Sequence, residues 1–364
     1  MALNCGIVGL PNVGKSTIFN ALTAAGAESA NYPFCTIDPN VGVVPLNDKR
    51  LFRLQELFES ARAVPAAVEF VDIAGLVAGA SKGEGLGNQF LGHIRETDAI
   101  LHVVRCFDDD QVVHVEGSVD PVRDIQTIDL ELVLADMESL AKRKARLEKK
   151  VRSGDKEAVA DMAATERVLT VLEEGHAART VDLDAKERAL LRDAHLITLK
   201  PVLFVANVAE DDLAGAHPNV AAVRQMAKDQ GADVVIISGA IESELASLSD
   251  EDRGDYLAEL GLEEAGLDRL AHAAYRLLGK ITYFTAGPQE ARAWTVREGT
   301  PAPEAAAEIH TDIERGFIRA EVVSFEELDA AGSMPAIKEQ GRLRLEGKDY
   351  VVQDGDVIYF RFNV

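Results

Sequence analysis

One stretch of eight residues constrains the fold of this chain more than any other. Gly9-Leu10-Pro11-Asn12-Val13-Gly14-Lys15-Ser16 matches G-x-x-x-x-G-K-[ST], a glycine-rich loop that wraps phosphate groups. An apolar run over residues 3–8 precedes the loop, and residues 17–25 follow it with helical spacing. A loop between a strand and a helix directs backbone N–H groups and the positive helix end at one anion. The sequence therefore predicts a nucleotide phosphate site in an α/β domain.

The residues of this loop have separate predicted roles. Those expected to hold the β- and γ-phosphates are Asn12, Val13, Gly14, Lys15, Ser16 and Thr17. The Lys15 ammonium should reach the β- and γ-phosphates, and the Ser16 hydroxyl should ligate Mg²⁺. Thr36, in a loop with two prolines, is the candidate for a second hydroxyl ligand of the metal. The alternative is that Thr36 is a loop threonine without such a role.

A second predicted strand, over residues 68–71, ends in Asp72-Ile73-Ala74-Gly75. An acidic residue at this point lies on the Mg²⁺ side, usually through water, and the Gly75 N–H would face the γ-phosphate. The many glycines over residues 75–92 are typical of a mobile switch. The residue directly after Gly75 is often a glutamine that orients the attacking water in proteins of this kind, but here it is Leu76. Hydrolysis would therefore need another group.

A third predicted strand, over residues 99–106, is followed by Phe107 and later by His114. Phe107 at the carboxyl end of a strand is a candidate for stacking on a nucleotide base, and core packing is the alternative. A lone histidine is usually structural. With Leu76 in the glutamine position, however, His114 becomes the candidate catalytic group.

Bulk properties narrow the class of protein. The 364 residues suffice for two or three domains, and no window approaches the roughly 18 consecutive apolar residues of a membrane helix. The three cysteines, Cys5, Cys35 and Cys106, are far apart, which favours a reducing, cytoplasmic location and argues against structural zinc. The formal net charge of −23 disfavours nonspecific nucleic-acid binding without excluding a local basic surface. We expect no membrane contact and favour a monomer.

The composition changes at residue 129, where a helical insertion is predicted. Apolar residues with heptad spacing, interrupted by Lys144, are Leu130, Val133, Met137, Leu140, Leu147 and Val151. The same segment carries the only strongly basic stretch of the chain, residues 142–152. A second helix over residues 158–174 would complete an antiparallel coiled-coil arm. The basic stretch is either a solvated helix face or a contact for nucleic acid or the ribosome.

Two further strands return the chain to the predicted sheet. They end in Asn207-Val208-Ala209-Glu210 and at Ser238, which is where a doubly wound domain holds a base. Beyond residue 280, short strands and one principal helix predict a β-grasp domain. The predicted domains are 1–128 with 198–278 for nucleotide binding, 129–197 for the helical coiled-coil insertion and 279–364 for the β-grasp.

Together these motifs resemble one family. The phosphate loop, Thr36, Asp72 to Gly75 and Asn207 to Glu210 occur in the order of the translation-factor-type GTPases. The glycine-rich run is similar to the Obg branch. With the helical insertion, the run from Phe107 to Gly117 and the terminal domain, the whole chain resembles the YchF family of Obg-like ATPases. The resemblance implies an α/β fold in which a doubly wound P-loop NTPase domain carries a helical arm and a TGS-like β-grasp domain.

The resemblance also implies functional roles. These are ATP as the preferred nucleotide, Phe107 against the adenine, Val208 in the base pocket, His114 as an aid to hydrolysis, and the ribosome as partner. Asn12 resembles the P-loop asparagine of potassium-stimulated members, so K⁺ at the site is a further hypothesis beside Mg²⁺.

The base-reading loop supports the same preference on chemical grounds. Guanine-specific members of the class use N-K-x-D, whose aspartate accepts two hydrogen bonds from guanine. Here Val208 replaces the lysine and the longer Glu210 replaces the aspartate. Losing a bidentate base contact costs about 1–3 kcal/mol of discrimination, which is enough to abolish a guanine preference. Asn207 or nearby backbone could instead serve the N6 amino group and N1 of adenine.

The sequence thus predicts a Mg²⁺-dependent ATPase that works as a slow switch, cleaves the β–γ phosphoanhydride bond and associates with the ribosome. Two alternatives stay open. One is an Obg-class GTPase, and the other is a nucleotide-sensing scaffold that binds ribosomes or RNA with negligible turnover.

Overall fold

The structure is a computed structural model that describes residues 4–28, 40–73, 86–109 and 111–363. Its apolar strands alternate with amphipathic helices and form two six-stranded sheets. The chain divides into two compact units. The first consists of Met1–Val44 with Glu69–Ala274, and the second consists of Pro45–Val68 with Tyr275–Val364.

The sheet of the first unit has the strand order β2-β4-β1-β5-β6-β7. Its strands are β1 (Asn4–Val8), β2 (Val41–Pro45), β4 (Ala67–Asp72), β5 (Ala99–Arg105), β6 (Val202–Asn207) and β7 (Asp233–Ile237). Strand β1 pairs in parallel with β4 and β5, and the β5–β6 and β6–β7 pairs are parallel as well. Every residue of β5 and β6 is buried, as expected for central strands covered on both faces. The carboxyl ends of β1, β5, β6 and β7 therefore meet at one edge.

Six helices of the first unit accompany this sheet: α1 (Lys15–Glu28), α3 (Leu86–Glu96), α7 (Pro218–Asp229), α8 (Gly239–Leu245), α9 (Asp250–Glu259) and α10 (Gly266–Leu277, whose last residues enter the second unit). Buried Ile18 and Leu22 of α1 agree with the predicted spacing of its apolar face. None of the described helices combines the length and the apolar character that a membrane span requires.

The inserted arm is an antiparallel pair of helices, α4 (Pro121–Arg152) and α5 (Lys156–Glu173), followed by α6 (Ala185–Leu191). Val133 and Leu140 pack with Val168 and Leu172 in a cluster of their own. The seam lysine predicted at position 144 reaches across to Glu166, with 2.9 Å between Nζ and Oε1. Leu130 departs from the heptad prediction because its side chain is 53% exposed.

The second unit has the strand order β11-β10-β12-β8-β9-β3. Its strands are β3 (Ala63–Val64), β8 (Lys280–Ala286), β9 (Ala291–Arg297), β10 (Phe317–Ser324), β11 (Arg344–Glu346) and β12 (Asp356–Phe362). Its helices are α2 (Lys49–Leu57), α11 (Ala302–Ile309), α12 (Thr311–Arg315), α13 (Phe325–Ala331) and α14 (Met334–Glu339). The predicted single helix over residues 303–315 is broken at His310, which adopts extended backbone and caps α12.

The segment Pro45–Val68 is the main departure from the predicted boundaries. The sequence prediction placed it in the nucleotide-binding domain, but it groups with the second unit. Strand β3 pairs in parallel with β9, and the Ser60 hydroxyl donates to the Gly287 carbonyl at 2.7 Å. The arm groups with the first unit rather than standing apart. The predicted α/β fold class, with its doubly wound domain, helical arm and β-grasp domain, is confirmed, and the three-domain boundaries stay a prediction.

Candidate nucleotide-binding site

The phosphate loop has the geometry that its sequence predicts. Strand β1 ends at Val8, and α1 begins at Lys15. Asn12 and Gly14 adopt positive φ values of 63° and 92°, which turn the chain between these elements. A side chain at Gly14 would clash with the Asn207 amide. Glycine is therefore required at position 14 both by its backbone conformation and by a neighbour from a distant strand.

The loop lysine is paired with the predicted metal-side carboxylate. Lys15 Nζ forms an ion pair with Asp72 Oδ1, and the lysine is 8% exposed. Asp72 ends β4, where the parallel register places it beside Ile7 of β1. Ser16 and Thr17 are exposed at the start of α1 and line a cleft. Thr36, Gly75 and Leu76 lie outside the described residues.

That cleft, of about 1020 Å³, runs from the phosphate loop to the carboxyl ends of β5, β6 and β7. Besides the phosphate loop, three groups of residues line it: residues 107–109 with Val112, residues 207–211 and residues 238–240. The structure therefore brings together Asn12, Lys15, Ser16, Phe107, Val208, Glu210 and Ser238 from the predicted set. Its size suits a nucleoside triphosphate.

Asn207 holds the two ends of the cleft together. Its Nδ2 donates to the Val13 carbonyl at 2.9 Å, and its Oδ1 accepts from the Gly239 N–H at 2.9 Å. The residue is 3% exposed. Each polar atom of the amide makes one hydrogen bond to the protein, and the amide keeps a second N–H and a second oxygen lone pair. These two bonds give Asn207 a positioning role, and the expectation that it also serves adenine stays a prediction.

Val208 and Ser238 lie at the end of the cleft where a nucleotide base is expected, which we call the base end, and they offer one apolar and one polar group. Val208 is 3% exposed, and its N–H donates to the Ile237 carbonyl. Its apolar side chain stands where guanine-specific members of the class carry the lysine of N-K-x-D. The Ser238 hydroxyl is buried and has no hydrogen-bond partner among the described residues. A buried hydroxyl without a partner is costly, and a ligand group that exchanged a hydrogen bond with it would remove that cost.

Arg105 was not singled out in the sequence, yet it organises one wall of the cleft. It ends β5 and is 1% exposed. Its guanidinium lies over the Phe107 ring, 4.7 Å from the ring centroid, and donates to three backbone carbonyls of the loop that follows. A charged residue within an otherwise apolar strand is the signal that could have identified it.

His114 lies apart from the cleft lining and is 6% exposed. Its Nε2 donates to Asp124 Oδ2 at 2.8 Å, and its Nδ1 accepts from the Glu116 N–H at 3.2 Å. Burial raises the pKa of Asp124, while His114 and Arg123 oppose that shift. The imidazole is thus anchored to the first turn of α4 and has no free nitrogen, so a catalytic role requires this loop to rearrange.

The Asn12 amide nitrogen and the Cys106 side chain are both turned towards the protein. The Asn12 amide donates to the Val113 carbonyl at 3.0 Å, so its nitrogen faces the protein. Burial raises the pKa of Cys106, which follows β5, to about 12, so this residue is a protonated thiol at neutral pH. No cluster of three metal-binding side chains of the His, Cys, Asp or Glu type occurs in the described ranges.

Comparison with known proteins places this site in a family. The family model described as 50S ribosome-binding GTPase matches residues 4–132, and the YchF-GTPase_C model, described as a protein of unknown function (DUF933), matches residues 280–363. A Bacillus subtilis protein named ribosome-binding ATPase YchF is 57% identical, and an Escherichia coli O157:H7 protein of the same name is 53% identical, each over 100% of both chains.

A solved structure agrees with these sequence relatives. The structure of the Schizosaccharomyces pombe YchF GTPase matches with a TM-score of 0.88 at 36% identity, covering 99% of this chain and 97% of that one. Matches of this identity over whole chains, together with the phosphate loop and the Asn207-to-Glu210 segment at one cleft, show that this chain belongs to the YchF family.

Proposed function

We propose that this protein is a Mg²⁺-dependent ATP-binding and ATP-hydrolysing switch that prefers ATP over GTP and acts on the ribosome. The observation that carries the proposal is the single cleft that joins the phosphate loop to Val208, Glu210 and Ser238. Relatives named ribosome-binding ATPase support the activity and the partner.

The base end supports adenine. Val208 supplies an apolar contact in place of a lysine stem, and Glu210 is one methylene longer than the aspartate that reads guanine. The Ser238 hydroxyl can both donate and accept, which suits the N1 acceptor and the N6 amino donor of adenine. Phe107 lines the same end and offers a ring for stacking.

The phosphate end suits Mg²⁺. The Ser16 hydroxyl and the Asp72 carboxylate are hard oxygen donors, and both lie beside Lys15. Thr36 is the proposed second hydroxyl ligand, and Gly75 is the proposed γ-phosphate contact. Bound Mg²⁺ would neutralise charge on the β- and γ-phosphates. When phosphates bind, they can replace Asp72 as the partner of Lys15 and release this carboxylate towards the metal.

The first test is competition binding of labelled ATP and GTP analogues against the unlabelled nucleotides, in Mg²⁺ and a potassium salt. We expect ATP to bind more tightly than GTP, since the missing bidentate contact, worth about 1–3 kcal/mol, removes the guanine preference while Val208, Ser238 and Phe107 offer contacts to adenine. A preference for GTP would overturn the assignment of Phe107, Val208 and Ser238 to adenine while leaving the phosphate site in place. Equal hydrolysis rates in potassium and sodium salts would remove the K⁺ hypothesis.

His114 is the proposed catalytic group for hydrolysis. His114→Ala should abolish most turnover while ATP affinity stays within about twofold, because the imidazole lies outside the cleft lining. Asp124→Asn is the matched variant, since it alters the same buried pair without removing the imidazole. Unchanged turnover in His114→Ala would transfer the catalytic role to another residue.

The hydrogen bonds at both nitrogens of the His114 ring favour a second candidate function, that of a nucleotide-sensing ribosome-binding scaffold with negligible turnover. Neither ring nitrogen is free, and Leu76 replaces the usual glutamine. Single-turnover hydrolysis with and without ribosomes separates the two. Acceleration by ribosomes supports the ATPase switch, and ribosome binding without hydrolysis in either condition supports the scaffold.

The arm is the proposed ribosome contact. Three of its basic residues are already paired with carboxylates: Lys142 with Glu138, Arg143 with Asp161, and Lys144 with Glu166. The exposed cations closest to the tip are Arg146, Lys149, Lys150, Arg152 and Lys156. Because phosphate contacts by exposed cations weaken with salt, ribosome binding through these residues should fall as salt rises.

A further inference from the structure

Arg105 is a buried cation that has no acidic partner in the part of the chain that the structure describes. It is 1% exposed, and among the described residues no carboxylate lies within ion-pair distance of it. A buried charge is costly unless hydrogen bonds and polarisable groups compensate it. The compensation found here is therefore informative about what this residue does.

Three backbone carbonyls and one aromatic ring provide that compensation. Nε donates to the Phe107 carbonyl at 3.1 Å, Nη1 to the Val112 carbonyl at 2.9 Å, and Nη2 to the Asp109 carbonyl at 3.1 Å. The guanidinium carbon lies 4.7 Å from the Phe107 ring centroid. The guanidinium presents its donors from three nitrogens in a rigid planar fork, whereas a lysine would have to reach all three carbonyls from one nitrogen and has no planar face to stack on the ring, so lysine is a poor replacement here.

All three acceptors lie in one short loop that faces the cleft. Phe107, Asp109 and Val112 each line it, as do Val208 and Ser238. Across the sheet, Arg105 pairs in register with Asn207, the residue that links the phosphate loop to the base end. The guanidinium thus lies beneath the wall on which a base would stack.

We propose that Arg105 is a positioning residue for nucleotide binding, whose guanidinium holds the backbone carbonyls of Phe107, Asp109 and Val112 and thereby orients the Phe107 ring for stacking on the base. This inference rests on the proposed function in one respect, that Phe107 contacts the base. Stacking on an aromatic ring is tolerant of base identity. The role of Arg105 is therefore independent of whether the base is adenine or guanine.

The test compares a ligand that has a base with one that lacks it. The full chain carrying Arg105→Lys is titrated with ATP and with inorganic tripolyphosphate, each in Mg²⁺. We expect the Kd for ATP to rise about 5- to 150-fold, the range for losing one base-stacking contact, while the Kd for tripolyphosphate stays within about twofold. Arg224→Lys, at an exposed position on α7, is the matched control and should change neither.

A double-substitution cycle tests whether Arg105 acts through Phe107. Phe107→Ala keeps the guanidinium and the backbone carbonyls but removes the ring. We expect Phe107→Ala to weaken ATP alone, and Arg105→Lys to add less than about twofold to that loss, because the two residues share one contact.

Three outcomes would overturn the proposal: equal losses for ATP and tripolyphosphate in Arg105→Lys, which would show a general structural role; an unchanged Kd for ATP; or fully additive effects in the double variant. A wild-type preference for GTP would refute the adenine assignment without affecting this test, because GTP can then replace ATP in it.

Discussion

The two ends of the cleft are built in different ways. The phosphate end comes from one continuous segment, in which β1, the loop and α1 follow each other within about 25 residues. The base end comes from three separate segments, at the carboxyl ends of β5, β6 and β7. Asn207 connects the two ends through hydrogen bonds to Val13 and Gly239. Phosphate binding can thus be recognised in a sequence motif, whereas base recognition depends on packing.

This difference has a physical origin. A phosphate is held by backbone N–H groups and a helix end, which local sequence alone arranges. A base needs flat walls and edge contacts, which here depend on a buried guanidinium and a buried amide. The ends should therefore respond differently to substitution.

The largest expected effect is at the phosphate end. Lys15→Ala should weaken both ATP and tripolyphosphate by about 100-fold or more, because losing one partner of a charge pair costs about 2–5 kcal/mol. The substitution also leaves Asp72 unpaired beside the phosphates. Equilibrium titration with each ligand measures the change in Kd, and Lys156→Ala, at an exposed position of the arm, is the control. ATP affinity within tenfold of wild type would mean that the base end carries most of the binding.

The next effect is at the residue that joins the ends. Asn207→Ala leaves the Val13 carbonyl and the Gly239 N–H without their partner, and each buried unpaired group costs about 1–3 kcal/mol. We expect the free energy of unfolding in urea to fall by about 2–3 kcal/mol. Asn20→Ala, exposed on α1, should change it by less than about 0.5 kcal/mol. Equal small losses in both variants would show that the ends are held together by other contacts.

A smaller effect is expected when the base end is converted towards the guanine-reading pattern. The double variant Val208→Lys with Glu210→Asp should shift the ratio of ATP to GTP affinity by about tenfold towards GTP, while tripolyphosphate affinity stays unchanged. Competition binding measures the ratio. A ratio that does not move would assign base choice to Ser238 or to residues outside this segment.

The smallest effect concerns β5, the strand that carries Arg105. Burial lowers the pKa of His102 from 6.5 to about 4. Because the unfolded chain binds the proton more readily, His102 favours folding above pH 6.5 and loses this contribution as the pH falls towards 4. Wild-type stability should fall between pH 7.5 and 5.5 by about 1 kcal/mol more than that of His102→Leu. Parallel pH profiles from urea unfolding would contradict this.

Much of the fold could be predicted because its signals are local. The apolar strands and the two helices of the arm follow from the spacing of neighbouring residues. Lys144, predicted at the seam of the arm, forms an ion pair with Glu166 on the facing helix. Leu130 fits the heptad pattern, but its side chain is exposed. Periodicity identifies a possible apolar face, but only the partner element decides where burial along that face ends.

Sequence alone determined the phosphate loop, the succession of strands along the nucleotide-binding part of the chain, and the family. Each of these depends on contiguous residues or on resemblance over the whole chain. Tertiary structure decided three other features. Strand β3 joins the second sheet although the strands before and after it in sequence, β2 and β4, belong to the first sheet, Asn207 links the phosphate loop to Gly239, and Arg105 holds three backbone carbonyls of the following loop. Each is a hydrogen-bonding choice among groups distant in sequence, and burial makes that choice energetically decisive.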